Sequence, residues 1–125
     1  MRSDPASPNS HRDPSTAPEP LPRVTDATID VLRVLLGAST PVWGLAIIRD
    51  AGRPPGSVYP ILDRLERAGW IAGEWEHDEA RSGPRRRYYR LTAGGVPAAR
   101  AAVAHRTELA RRARRRAAST ATALA

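Results

Sequence analysis

Apolar positions along the chain fall into a few periodic runs separated by Gly, Pro and polar residues. Ile29, Val31, Leu32, Leu35 and Leu36 cover more than one helical face. They predict a largely buried helix from a Thr25 cap to about Leu36, stopped by Gly37. Thr40 then offers a cap for a second helix, with Pro41 at its first position, where the missing N–H costs nothing. Gly44, Ile47, Ile48 and Ala51 share one face of it, Gly44 would let another helix approach closely, and Gly52 ends it. Val58, Ile61, Leu62 and Leu65 follow at i, i+3, i+4 and i+7 and predict a third helix from about Pro55 to Ala68. Its start is open. With Ser57 as cap, Pro60 lies in the first turn. With Pro55 as the first helical residue, Pro60 removes one hydrogen bond and bends the helix. Arg67 in the last turn and Gly69 beyond it are stop signals.

The period then changes. Trp70–Glu76 and Arg85–Leu91 read as strands, joined by the polar tip His77–Pro84. Ile71, Gly73 and Trp75 share one face, and Tyr89 and Leu91 share a face of the second strand. Trp75 and Tyr89 are expected on the packed side, with Arg86 pointing outward. Arg85 and Arg87 have the parity of Tyr89, but near the tip twist can free them. Thr92 caps a last helix, regular from Pro97, whose stripe of Ala99, Ala102, Val103, Leu109, Ala110 and Ala113 is interrupted by Arg106. Residues this small contribute only modestly to association by area. Ahead of all this, residues 1–22 hold six prolines among Ser, Thr, Asp and Asn, and read as a disordered arm.

A helix for a groove, followed by a hairpin that opens with three arginines, is the order a winged helix-turn-helix requires. The expected fold is mainly α with a small β-hairpin. The expected organisation is an arm over 1–22, a winged helix-turn-helix over 23–96, a C-terminal helix over 97–117 as candidate dimerisation element, and a tail over 118–125.

Composition narrows the chemistry. A chain of 125 residues has room for one domain with a modest core. With no cysteine, disulfides, thiolate metal sites and cysteine nucleophiles are excluded, and a reducing, cytoplasmic setting fits. No apolar run approaches the ~20 residues that span a bilayer, and the N-terminus has no secretory h-region, so neither a membrane partner nor export is expected. The net charge of +7 is uneven, −4 over residues 24–79 against +11 over 80–125. An acidic partner such as nucleic acid would meet the wing and the C-terminal region. Every basic residue is Arg and none is Lys, so codon bias is an alternative account of the tail. His11, His77 and His105 lack metal-ligand spacing, Glu74 and Glu76 balance the wing arginines, and no glycine-rich phosphate loop joins a strand to a helix. Neither an enzyme nor a cofactor nor a metal is expected.

Opposite the apolar stripe, the third helix presents Gly56, Pro60, Asp63 and Arg67, flanked by Ser57, Tyr59 and Arg64. The hydroxyls of Ser57 and Tyr59 and the guanidinium of Arg64 can reach phosphates or base edges, and Gly56 permits close backbone approach. The alternative is a solvated face with Asp63 pairing Arg67 at i+4. Arg85, Arg86 and Arg87 on the adjoining hairpin favour the first account. The run Arg111, Arg112, Arg114, Arg115, Arg116 reads as a solvated helix end, with cations near the negative terminus.

The stretch Gly56-Ser57-Val58-Tyr59-Pro60, Arg64-Leu65-Glu66, Gly69, Trp75-Glu76 and Tyr88-Tyr89-Arg90-Leu91-Thr92 resembles the PadR family of bacterial transcriptional regulators, over roughly Leu35 to Val96. The resemblance implies a winged helix-turn-helix, a homodimer built through terminal helices, and repression of nearby genes that an effector relieves. It also implies that Ser57, Tyr59 and Arg64 contact double-stranded DNA, with the wing arginines on its backbone. Leu45 stands where the family often has an aromatic residue, and the C-terminal region is one helix at most. An unidentified small-molecule effector would therefore sit between protomers, with Trp43 as a candidate lining residue. Two other readings remain beside the regulator: a winged-helix protein-interaction module, and a low-specificity nucleic-acid binder acting through its Arg-rich tail.

Overall fold

The computed structural model describes residues 17–77 and 81–124. In chain order the elements are α1 (Asp26–Leu36), β1 (Val42–Trp43), α2 (Gly44–Ala51), α3 (Pro55–Arg67), β2 (Ile71–Trp75), β3 (Arg87–Leu91) and α4 (Gly95–Leu124). The fold is mainly helical with a small antiparallel sheet, as expected of a winged helix-turn-helix.

Thr25 caps α1 as its sequence position suggests. Its Oγ1 accepts from the Thr28 N–H at 3.2 Å, and its own N–H donates to Thr28 Oγ1 at 3.4 Å, a reciprocal box that closes two otherwise orphaned donors. Ile29, Val31, Leu32 and Leu35 from this helix, Ile47 from α2, and Val58, Ile61, Leu62 and Leu65 from α3 form one buried core. Trp70, Ile71, Tyr89 and Ala99 close it.

The second helix departs from expectation. It starts at Gly44 rather than after a Thr40 cap, and no side chain caps it. Val42 and Trp43 instead form β1, which pairs antiparallel with β3 in the order β1-β3-β2. A lone hairpin would leave the far edge of β3 unpaired. A β-branched and an aromatic residue next to it satisfy those backbone groups better than a helical turn would. Gly44 faces the Tyr59 side chain, whose Cε1 would lie 3.4 Å from an added Cβ.

The third helix takes the Pro55 start, so Pro60 lies inside it. The Ser57 and Val58 N–H groups both donate to Pro54 O, at 3.0 and 3.1 Å. The hairpin strands are shorter than predicted, and Arg85 and Arg86 precede β3 instead of belonging to it.

α4 begins at Gly95 and continues through Leu124, past the 97–117 expected, because Ala-rich sequence carries helical propensity to the end. Thr92 fixes its start: the Oγ1 accepts from the Gly95 N–H at 2.9 Å and donates to Gly69 O at 2.7 Å. Gly95 packs so tightly there that an added Cβ would lie 1.9 Å from Trp70 O. Arg106, expected to interrupt the stripe, instead ties α4 to the body through Asp26 Oδ1 and through Val24 O at 2.7 Å. Leu109 and every described side chain after it are exposed.

Part of the expected arm is docked. Trp70 Nε1 donates to Glu19 O at 2.6 Å, the Glu19 N–H donates to Ala68 O at 2.8 Å, and Leu21 packs on the core. The remainder, residues 1–16, lies outside the described residues.

Candidate nucleic-acid interface

α3 buries one stripe and exposes the other, and its exposed side follows the helical period. Gly56, Tyr59, Pro60, Asp63, Arg64 and Arg67 are exposed, and Ser57 is half-buried. Asp63 is bound to Arg67 at 3.2 Å, the i,i+4 pair expected of a solvated face. That pairing leaves Arg64 with no side-chain partner among the described residues. Gly56 has open space above it, since an added Cβ would meet nothing within 4 Å. Tyr59 is 45% exposed and leans toward the start of α2.

The three wing arginines do not form one uniform patch. Arg85 is exposed and makes no ion pair among the described residues. Arg86 was expected to point outward. Its guanidinium instead lies over the Trp43 ring, 4.0 Å from the centroid, and its Nε is buried with no acceptor. The cause is β1: by pairing with β3, that strand brings an aromatic face under the arginine, and a cation stacks there. Arg87 turns toward the body and donates to Glu66 Oε2 at 2.7 Å. It crosses the hairpin where Gly73 leaves room, for a Cβ at that position would come within 2.6 Å of Arg87 Nη2.

Of the two aromatics expected on the packed side, Tyr89 is there and Trp75 is not. Tyr89 is 6% exposed, and burial raises the pKa of its hydroxyl above the ordinary value of 10.0, against the lowering effect of Arg87. Trp75 is 50% exposed. It shares the parity of Ile71, but β2 runs off the core before reaching it. Arg87, its cross-strand partner, covers one side of its ring at 5.1 Å. Glu76 joins the wing by accepting from Arg81 Nε at 2.6 Å, and Glu74 pairs with Arg90 at 3.4 Å.

Between the wing, α3 and the start of α2 lies a cleft of about 550 Å³. Sequence reasoning missed it because it depends on β1, whose two residues had been assigned to a helix. Among the described residues, no three His, Cys, Asp or Glu side chains group as metal ligands, and no helix is long and apolar enough to cross a membrane.

Residues 31–101 match the family described as transcriptional regulator PadR-like. Among solved structures, the chain is similar to a PadR-like transcription factor from B. fragilis, with 25% identity and a TM-score of 0.53 over 72% of this chain and 90% of that one. A Streptococcus transcriptional regulator has 24% identity and a TM-score of 0.55 over 70% of this chain and 87% of that one. The fold also resembles S. aureus MepR, solved as a DNA complex, at 18% identity and a TM-score of 0.53, covering 82% of each chain. No curated protein matches the chain by sequence.

Proposed function

The chain belongs to the PadR-like family of transcriptional regulators, and from that premise we propose that it binds double-stranded DNA sequence-specifically, as a homodimer, and represses transcription. One observation carries the reading. Tyr59 and Arg64 are exposed on the side of α3 away from the core, and Arg85, exposed on the adjoining wing, has no ion-pair partner among the described residues. Solvent-facing cations held on rigid elements are the groups that meet phosphates and base edges at least cost. α3 enters the major groove, with Ser57, Tyr59 and Arg64 at the base edges and Gly56 and Pro60 allowing close backbone approach. Arg85 and Arg86 lie against the phosphates, and Arg87 braces the wing through Glu66.

One recognition helix reads too few base pairs for a genomic address. The exposed second half of α4 supplies a surface through which a second copy can pair. The test is a salt titration on a duplex from the region upstream of the coding sequence and on a random duplex of equal length. Specific regulation gives a gap of roughly 10³ or more between the two. Similar affinities with the same steep salt slope would mean sequence-independent binding through the arginines. Weak binding to both would mean a protein-interaction module.

A further inference from the structure

The C-terminal arginines do not stand where a helix end would account for them. Cations near the negative end of a helix are stabilised by its dipole, and that effect fades within the last turn. α4 runs on to Leu124, its last turn holds no cation, and Arg116 stands about two turns short of the end. Arg111, Arg112, Arg114, Arg115 and Arg116 are therefore crowded inside a helix. Arg111 and Arg115, and Arg112 and Arg116, are i,i+4 neighbours, a spacing at which like charges destabilise. The nearby carboxylate is Glu108, which holds Arg112 at 3.3 Å and Arg115 at 3.2 Å. Arg111, Arg114 and Arg116 are exposed and make no ion pair among the described residues. The helical period gathers the arginines on one side, with Ala110, Ala113, Ala117 and Leu124 on the other. Codon bias accounts for arginine in place of lysine. It does not account for a one-sided cluster of cations.

We propose that this side of α4 is a second DNA-binding surface, which holds the phosphate backbone of double-stranded DNA without regard to sequence. Closely spaced phosphates supply the anions that the guanidiniums lack, through charge-assisted hydrogen bonds, and they relieve the repulsion along the helix. The surface is separate from the wing. α4 leaves the base of the hairpin, where Gly95 packs on Trp70, and lies along α1, whereas Arg85 stands beyond the other end of β3. Pairing of two copies through the alanine side leaves the arginines facing outward. A chain seated on one duplex through α3 therefore holds a second duplex through α4. That bridging rests on the proposed function. The phosphate-binding side of α4 does not.

The test compares the full chain with a variant carrying Arg111→Gln, Arg114→Gln and Arg116→Gln, which keeps helical propensity and loses the charge. On a random duplex, anisotropy over a salt series should show affinity lowered by at least about 10-fold at low salt and the salt slope reduced by about 0.9 unit for each arginine removed. Lys at the same three positions should restore both. The second measurement is capture of a fluorescent random duplex by protein seated on an immobilised upstream duplex. The unmodified chain should capture it, and the glutamine variant should capture at least about 10-fold less while still preferring the upstream duplex. An unaltered slope in the glutamine variant would overturn the surface, and so would binding of phosphatidylserine vesicles in place of the random duplex. Capture undiminished in that variant would mean that two winged-helix units bridge the duplexes, and would overturn bridging by α4, as would a reduced slope with no capture. Binding that the glutamine variant loses on both duplexes, and that Arg64→Ala leaves unchanged, would uphold the surface and sink the reading of α3 instead.

Discussion

Arg85, Arg86 and Arg87 are consecutive in the chain and have three different surroundings. Arg85 stands in solvent, Arg86 is stacked on Trp43, and Arg87 is held by Glu66. Arg85→Ala should therefore weaken every duplex alike and reduce the salt slope by about one unit, as read by fluorescence anisotropy over a salt series. Tyr59→Ala and Arg64→Ala should act differently, narrowing the gap between operator and random DNA by about 1–3 kcal/mol for a contact that reads a base. Unchanged discrimination in both variants would remove α3 from the reading role. Tyr89 gives a pH test. Because burial raises its pKa above 10.0, its stabilising share is complete below that value and is lost as pH climbs through the raised one. Stability should fall on the alkaline side, and Tyr89→Phe should flatten that fall in denaturant titrations at pH values on either side of the transition.

At the scale of elements, the hairpin is anchored at one end and projects at the other. Tyr89 is buried against the helical body, so Tyr89→Ala should cost about 3–5 kcal/mol. Trp75, half in solvent, should cost no more than about 1 kcal/mol when replaced by Ala, in keeping with a site outside the core. Equal losses in thermal unfolding would mean that the wing packs more deeply than its exposure indicates. The junction of β3 and α4 is the tighter joint. Gly95→Ala would drive a methyl into the Trp70 carbonyl, a backbone atom that cannot swing aside. A loss of about 1–3 kcal/mol is expected, the usual range for overpacking.

The whole molecule is asymmetric in how its surface is used. The first half of α4 is packed on α1, while the side chains of the second half, from Leu109 to Leu124, are all exposed and the segment still holds helical form. An isolated helix of that length is marginal in water, so a second copy paired along it would account for its persistence. Light scattering should give a dimer at tens of micromolar, and a chain ending at Glu108 should be a folded monomer with weakened operator binding. In the dimer the two α3 helices should lie about 34–36 Å apart, one turn of duplex. A monomer on and off DNA would exclude this arrangement.

Much of the fold was legible from local pattern. The Thr25 cap, the stripe Val58–Leu65 and the Thr92 cap each rest on neighbours within a few residues, which sequence spacing reports directly. The exposed row through Tyr59 and Arg64 followed from the same period. Other features depend on partners distant in the chain. Val42 and Trp43 became a strand because β3 had a free edge some 45 residues on, and that pairing put Trp43 beneath Arg86. Arg106 on α4 found Asp26, 80 residues away, and Glu66 claimed Arg87 across 21. Side-chain alternation correctly placed Trp75 on the face of Ile71, but only the length of the body beneath the sheet decided where that face ran out into solvent. Periodicity assigns faces, because it is a property of the backbone repeat. What covers a face, and which cation finds which anion or ring, is settled by tertiary contacts that no local window contains.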